Sequence, residues 1–372
     1  MRLSIFAFLF SAFANAASAH SVFAQSVSTA SSADASQSGV VRGSVTAKLT
    51  GAVLARSVVT IAALDLQQFS NDQGRFYLVK VKPGKYRLNV RQLGYLPVNV
   101  DIFVDETGSA DVTVQMDRIA TKLSTFTVTD QQLCETPGRP TQADGEQLVE
   151  VFEQLEQSAI RLALLARQFP YKMIIERRML LRRVDGRDVP ERNDTFSRDG
   201  QKTAQYQPGG VVTRSRGTAS AYSLQIPTLL DFADAKFIAN HCFTLRGLET
   251  LPVEAGGDGV AFIRVDFTAA SKLKNPDVDG SVFLDSADYS LRRAEVRLSK
   301  LPENLQEIAS VRVTSTFQDY VPGMPIIGLV QAITEMKEVK GKPYRFVSRN
   351  EQQIVANLVF SKQRPDSVRP PQ

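Results

Sequence analysis

Val81-Lys82-Pro83-Gly84-Lys85-Tyr86-Arg87-Leu88-Asn89-Val90 is the stretch that settles the fold class. Pro83 fixes φ and Gly84 tolerates φ > 0, so the pair suits the two central positions of a type II turn. Behind it Tyr86, Leu88 and Val90 alternate with Arg87, Asn89 and Arg91. Such a period of two means one buried and one wet face, the mark of an antiparallel strand. The same alternation recurs at Val98, Val100, Ile102 and Val104, and again at Val112, Val114 and Met116. Upstream, Asn71-Asp72-Gln73-Gly74 has turn chemistry with Gly74 where a positive φ is expected, and downstream Gly94 and Gly108 punctuate the runs. Gly74, Pro83, Gly84 and Gly94 are thus expected as structural turn residues. Several short strands with closely spaced turns indicate a small β-sandwich rather than an α/β unit.

These residues also carry a family resemblance. Gly43-Ser44-Val45, Thr50-Gly51, Ser57-Val58-Val59, Asp72-Gln73-Gly74-Arg75-Phe76, Val81 to Leu88 and Gly94-Tyr95 follow in the order found in the carboxypeptidase regulatory-like domain. Residues 40–129 therefore resemble that prealbumin-like domain, about a quarter of the chain. Arg56-Ser57 departs from its usual Pro-x-x-Gly-Ala approach to the small-residue strand, and Asp72 lacks the usual preceding Thr. The resemblance implies an accessory stability or binding module and no peptidase activity. Leu123 to Thr129 is similar to the closing strand that follows this domain in TonB-dependent receptors. Only 243 residues follow Thr129 in the chain of 372 and the terminal aromatic is missing, so a large receptor barrel is not expected.

The N-terminus has the layout of a secretory signal. Arg2 is followed by the apolar run Leu3 to Phe13, too short to span a bilayer, and by small-residue motifs ending at Ala19 and Ala24. We favour residues 1–24 as signal, with export to the periplasm or the outer-membrane surface. Residues 25–39, rich in Ser, Ala and Gln, are expected as a flexible leader. Loss of Arg2 takes the net charge of +5 to about +4, too mild to suggest a nucleic-acid partner, and no aromatic-interleaved basic patch stands out. No transmembrane helix is expected once the signal is gone.

Residues 130–143, with Pro137, Gly138 and Pro140, have a linker composition. A long helix is expected over Asp144 to Arg167. Asp144 would cap it with Gln147 three residues on, and Leu148, Phe152, Leu155, Ala159, Leu162 and Ala166 form one apolar stripe. Strands are expected at Tyr171–Val184, Tyr222–Ile226, Lys236–Leu245, Val260–Phe267, Ser281–Asp285, Ser290–Leu298, Ile308–Tyr320, Ile327–Met336 and Tyr344–Val359. Gly256-Gly257-Asp258-Gly259 and Asp285-Ser286-Ala287-Asp288 are the expected hairpin connections. The fold class that results is mainly β. An N-terminal prealbumin-like β-sandwich is followed, over residues 144–362, by an α+β domain with a long helix packed on a curved antiparallel sheet. Residues 363–372 are a polar tail. Gly280 to Asp285 with Tyr289 to Arg293 resembles a strand pair of lipoprotein-carrier-type half-barrels, which implies a concave face able to hold an apolar ligand.

Little in the chain speaks for catalysis. Only His20 and His241 exist, so a zinc peptidase site with two His ligands and an acid has no donors. His241 lies in an apolar run and is expected as a structural or half-exposed strand residue. No G-x-S-x-G elbow, P-loop or dinucleotide fingerprint occurs. Asn275 to Gly280 imitates the start of a calcium loop, but position twelve is Ser286, so an acidic turn is expected instead. Arg177-Arg178 and Arg182-Arg183 are expected as solvated surface. No catalytic, cofactor or metal residues are assigned. Cys134 and Cys242, the only two cysteines of an exported chain, are expected to form a disulfide. The expected role is a non-catalytic binding or scaffolding protein with a lipid or envelope component as partner. A carboxylate-dependent hydrolase of envelope or carbohydrate material, or an accessory protein to an outer-membrane receptor, is the alternative.

Overall fold

A computed structural model describes residues 39–106, 108–119, 133–200, 205–214, 222–251, 259–301, 307–337 and 346–361. The signal, most of the leader, the strand expected at Leu123 to Thr129, the centre of the first expected hairpin and the tail lie outside these residues.

The first seven strands are β1 (Gly39–Ala47), β2 (Val58–Ile61), β3 (Leu66–Phe69), β4 (Arg75–Val81), β5 (Gly84–Arg91), β6 (Val98–Val104) and β7 (Ser109–Met116). They form two sheets, β4-β1-β7 and β3-β2-β5-β6. The inward residues Val41, Val45, Phe76, Leu88, Val90, Val104 and Val114 are at most 1% exposed and share one core. The alternation thus marks the buried faces correctly. One pairing departs from the antiparallel expectation: β1 and β7 run parallel, Val40 opposite Ser109 through Ala47 opposite Met116. Parallel neighbours need no hairpin between them, so the closing pair joins strands far apart in sequence.

Gly74 and Gly94 have φ of 70° and 76°, as their turns require. The Pro83-Gly84 turn needs correction. Gly84 has φ of 156°, not the value near +80° of a type II turn, and it already pairs with Val104 as the first residue of β5. β4 belongs to one sheet and β5 to the other, so Pro83-Gly84 is the crossing between sheets and not a hairpin.

Helix α1 (Glu146–Gln168) follows. Asp144 does not cap it. Asp144 instead closes a short 3-10 turn by accepting the Thr141 N–H at 2.8 Å, and Gly145 is the helix cap. The remaining elements are β8 (Tyr171–Arg183), β9 (Asp188–Asp199), β10 (Val212–Arg214), β11 (Tyr222–Leu224), the single helical turn α2 (Ala235–Ile238), β12 (His241–Leu251), β13 (Val260–Ala269), β14 (Val278–Asp285), β15 (Leu291–Leu298), β16 (Ile308–Val321), β17 (Met324–Met336) and β18 (Phe346–Phe360). Apart from the β10-β11 pair they make one open antiparallel sheet of nine strands, β12-β13-β14-β15-β16-β17-β18-β8-β9. Register shifts at Leu245/Gly247, Phe283/Leu284, Thr316/Phe317 and Val355/Asn357 are bulges that bend their strands.

Two expectations on strands are corrected. Lys236 to Ile238 is helical, because Asp234 accepts the Lys236 N–H at 2.7 Å and starts a turn there. β9 was missed, since Asp188–Asp199 carries six charged residues and shows no apolar alternation. It is an edge strand, where charge discourages further pairing.

Helix α1 is buried on more than the expected stripe. Leu148, Phe152, Leu155 and Ala159 pack with Ile263, Val265, Phe267, Val282 and Leu284 of the sheet. Leu164, Leu165 and Ala166 join Val58 and Phe69 of the sandwich and Met324 and Ile326 of β17 in a second cluster. Gln154, Gln157, Ser158 and Arg161 are also buried. Gln154 Oε1 accepts the Gly94 N–H at 2.9 Å. Arg161 donates to Arg56 O at 2.6 Å, Gln92 Oε1 at 2.9 Å and Gly323 O at 3.0 Å. Arg56, the residue that departs from the family pattern, is 4% exposed. It donates to Pro322 O at 3.0 Å and to Asp72 Oδ1 at 2.7 Å. Two arginines thus hold the β16–β17 turn against the sandwich. Burial pushes the Arg161 guanidinium down to about 10, and the neighbouring Arg56 adds to this.

The expected linker is pinned where it is described. Cys134 bonds Cys242 with a Cα–Cα separation of 5.5 Å. The Ser271 N–H donates to Cys134 O at 2.9 Å, and the Gly138 N–H donates to His241 O at 3.0 Å.

Candidate functional site

The large sheet has two unlike faces. The register places Ile263, Leu284 and Leu291 in one row and Val265, Val282 and Ala294 in the next, toward α1. The alternate residues face the other way. Asp266, Ser281, Glu295, Thr314 and Gln331 form one cross-strand row from β13 to β17. Arg264, Phe283 and Arg293 form the row on one side of it, and Asp279, Arg297 and Arg312 the row on the other. These rows, apart from the buried Phe283, line an open groove of about 1240 Å³. Its end is closed by Leu133 and Cys134, which the disulfide holds against the margin of the sheet, and by Ser271 and Leu273.

The central acids are held by arginines. Asp266 accepts from Arg264 Nε and Arg246 Nε at 2.7 Å each, and from Ser281 Oγ at 2.7 Å. Burial alone would raise the Asp266 pKa, but Ser281 and the two guanidiniums outweigh it and keep the carboxylate below its usual range. Arg264 also donates to Glu249 at 2.8 Å, and Arg293 to Glu295 at 2.8 Å. Arg264 covers the Phe283 ring, with its Cζ 5.8 Å from the centroid. The groove therefore offers fixed donors and ionised acceptors set among apolar side chains such as Leu133, Leu248, Leu273 and Ile333. The apolar face that a half-barrel would use for an acyl chain is occupied by α1, whose long side chains fill it.

Other residues weighed from sequence lie elsewhere. Gly74, Pro83, Gly84 and Gly94 are in the sandwich and do not line the groove. His241 is fully buried, not half-exposed. Its Nδ1 lies 2.8 Å from Phe237 O and its Nε2 3.0 Å from Val278 O, and it stacks on Phe237. Burial pushes the imidazole pKa down, against the pull of the two carbonyls and of Asp277. Asp277, expected in an acidic turn before a strand, is 0% exposed. It accepts the Tyr206 hydroxyl at 2.7 Å and the Gly209 N–H at 2.9 Å. Arg177 is buried rather than solvated, paired through two hydrogen bonds with Asp194, while Arg178 and Arg182 are exposed. Among the described residues no three His, Cys, Asp or Glu side chains gather as metal donors, and no helix is long and apolar enough to cross a membrane. Sequence reasoning missed the groove because charges alternating with apolar residues read the same on any wet sheet face. Only the register brings Asp266, Glu295, Arg297 and Arg312 together.

Residues 40–117 match the carboxypeptidase regulatory-like domain family. No curated protein matches the chain. Among solved structures, the chain is similar to a candidate membrane-associated protein of unknown function from Bacteroides fragilis, at 10% identity and a TM-score of 0.19, over 86% of this chain and 98% of the other. A DUF1329 family protein from Desulfovibrio piger is similar at 12% identity and a TM-score of 0.27, over 56% and 93%. A candidate carbohydrate-binding protein from Bacteroides uniformis is similar at 10% identity and a TM-score of 0.19, over 87% and 99%. All three TM-scores lie below 0.5, and no role is transferred from them.

Proposed function

We propose that this is an exported, non-catalytic binding protein of the cell envelope, whose sheet groove takes an extended polar ligand. The observation that carries this reading is the division of faces: α1 fills the apolar side, and the open side is a 1240 Å³ groove floored by arginines and carboxylates. Polar groups of this kind suit hydroxyl-rich ligands, because each hydroxyl needs both donors and acceptors. An acid catalyst among these carboxylates would need a raised pKa, whereas the surroundings of Asp266 lower it. The Cys134–Cys242 bond fits an oxidising compartment, and the signal-like N-terminus supports export.

The test uses protein exported from a Gram-negative host and purified without detergent. Native mass spectrometry looks for co-purified acyl chains. Thermal shift compares lauric acid with soluble fragments of envelope polysaccharide. Stabilisation by the polysaccharide fragments alone is expected, and Thr314→Trp, which fills the middle of the groove, is expected to abolish it. Co-purified acyl chains, or hydrolysis of the fragments, would overturn the proposal.

A further inference from the structure

The groove is not electrically even along its length. Six cations and four acids line it: Arg246, Arg264, Arg293, Arg297, Lys300 and Arg312 against Glu249, Asp266, Asp279 and Glu295. Near Arg246 and Arg264 the charges cancel in close contacts, with Asp266 between them. The far end differs. Arg297 Nε stands 3.7 Å from Asp279 Oδ2, beyond hydrogen-bond reach. One oxygen of Asp279 is already taken by the Ala269 N–H at 2.9 Å. Among the described residues, Lys300 Nζ donates only to a neutral carbonyl, Leu273 O, at 2.8 Å. Arg312 pairs with Glu335 at 2.9 Å, with Arg312 largely exposed and Glu335 half-buried and held also by Ser310 Oγ at 2.7 Å, so the pair is a weak surface one that leaves Arg312 donors open to another anion. Arg297, Lys300 and Arg312 also line a second cavity of about 330 Å³ with Ser310 and Glu335. The two cavities thus share a cationic group of residues on their rims.

Resting on the groove reading above, we infer that the occupant is an acidic polysaccharide. Its sugar hydroxyls lie along the row from Asp266 to Gln331, and a carboxylate or phosphate substituent sits on Arg297, Lys300 and Arg312. The arginines present planar forks that suit either anion, and the lysine adds a mobile point charge. The open arrangement makes binding sensitive to screening, because exposed charges lose most of their attraction beyond about 8 Å at physiological salt.

Isothermal titration distinguishes the sources. The probes are hexagalacturonate for a uronate, a phosphomannan oligosaccharide for a phosphate-bearing sugar chain, and maltohexaose as the neutral control. At least one acidic probe is expected to bind at least tenfold more tightly than maltohexaose, and to weaken several-fold between 50 and 200 mM NaCl; which one binds identifies the anion. The triple variant Arg297→Gln, Lys300→Gln, Arg312→Gln alters exposed side chains and is expected to keep its melting temperature while losing that preference. Arg312→Lys is expected to keep most of it. Equal binding of acidic and neutral probes, or an unchanged preference in the triple variant, overturns the inference. If maltohexaose still binds and Thr314→Trp blocks it, the groove reading stands while the acidic occupant falls. If no probe binds, the acidic occupant falls; if envelope polysaccharide fragments also fail to stabilise the protein, the groove reading falls with it.

Discussion

Arg161 concentrates the logic of the interface in one side chain. The residue is 3% exposed, and its oxygen acceptors Arg56 O, Gln92 Oε1 and Gly323 O are all neutral. A buried charge is costly unless its donors are met: two backbone carbonyls and the Gln92 amide oxygen meet the terminal nitrogens of Arg161, while its Nε has no partner among the described residues. Truncation would leave those acceptors without a donor. Arg161→Ala is therefore expected to destabilise the protein by about 2–4 kcal/mol, visible as a lower urea midpoint; an unchanged midpoint would mean the interface does not depend on it. Two tyrosines give a pH signature. Burial pushes the Tyr171 phenol up to about 12, and burial together with the hydrogen bond to Asp277 pushes Tyr206 up further still. Raised folded pKa values mean that the stability tied to these phenols is fully present below the free value of 10 and is lost as pH rises through the folded values. At pH 11 the 295 nm absorbance of the folded protein is expected to show at least two of the nine tyrosines still protonated, and urea is expected to release them. Complete ionisation at pH 11 with the fold intact would contradict this.

At the scale of elements, β1 has little room for change. It pairs with β4 on one side and β7 on the other. A Cβ at Gly43 would stand 2.1 Å from Val112 O and 2.6 Å from the Phe76 ring, so a strand would have to move. Gly43→Ala is expected to cost about 3 kcal/mol through overpacking, and a thermal melt within a degree of the wild type would refute the close packing. Helix α1 shows how far an apolar stripe can be read. Leu148, Phe152, Leu155, Ala159 and Ala166 are buried as their spacing indicates, with Leu162 only partly so. The burial of Gln154, Gln157, Ser158 and Arg161 was not legible, because a polar helix face looks alike whether it meets water or another polar surface. The strands β13 to β18 were legible from alternation to within a few residues, and β9 was not, since its order comes from its partner β8 rather than from apolar content.

For the whole molecule, the shared cluster of Val58, Phe69, Leu164, Leu165 and Ile326 together with the two arginines joins sandwich and sheet. Unfolding in a calorimeter is therefore expected as a single transition, with Arg161→Ala splitting it into two; two transitions in the wild type would show that the halves are energetically independent. The disulfide closes a loop of 108 residues, for which chain entropy gives a stabilisation of about 4–5 kcal/mol at most. Reduction is expected to lower the melting temperature by many degrees. Because Cys134 also closes one end of the groove, reduction should weaken ligand binding more than the loss of fold accounts for, measured at a temperature where both forms are folded.

What the sequence determined by itself were the local facts. The β-sandwich with its family pattern, the helix, most strands of the second sheet, and the Cys134–Cys242 bond followed from alternation, turn residues and the even cysteine count. These signals are local, since a strand's buried face is written every second residue and a helix's every third or fourth. Only the tertiary structure decided which faces meet. It placed α1 over the apolar side of the sheet, docked Arg56 and Arg161 on the β16–β17 turn, buried Asp277 and His241, and aligned Asp266, Glu295, Arg297 and Arg312 into one groove. Register between strands tens of residues apart sets those neighbours, and no periodicity within a single strand encodes it.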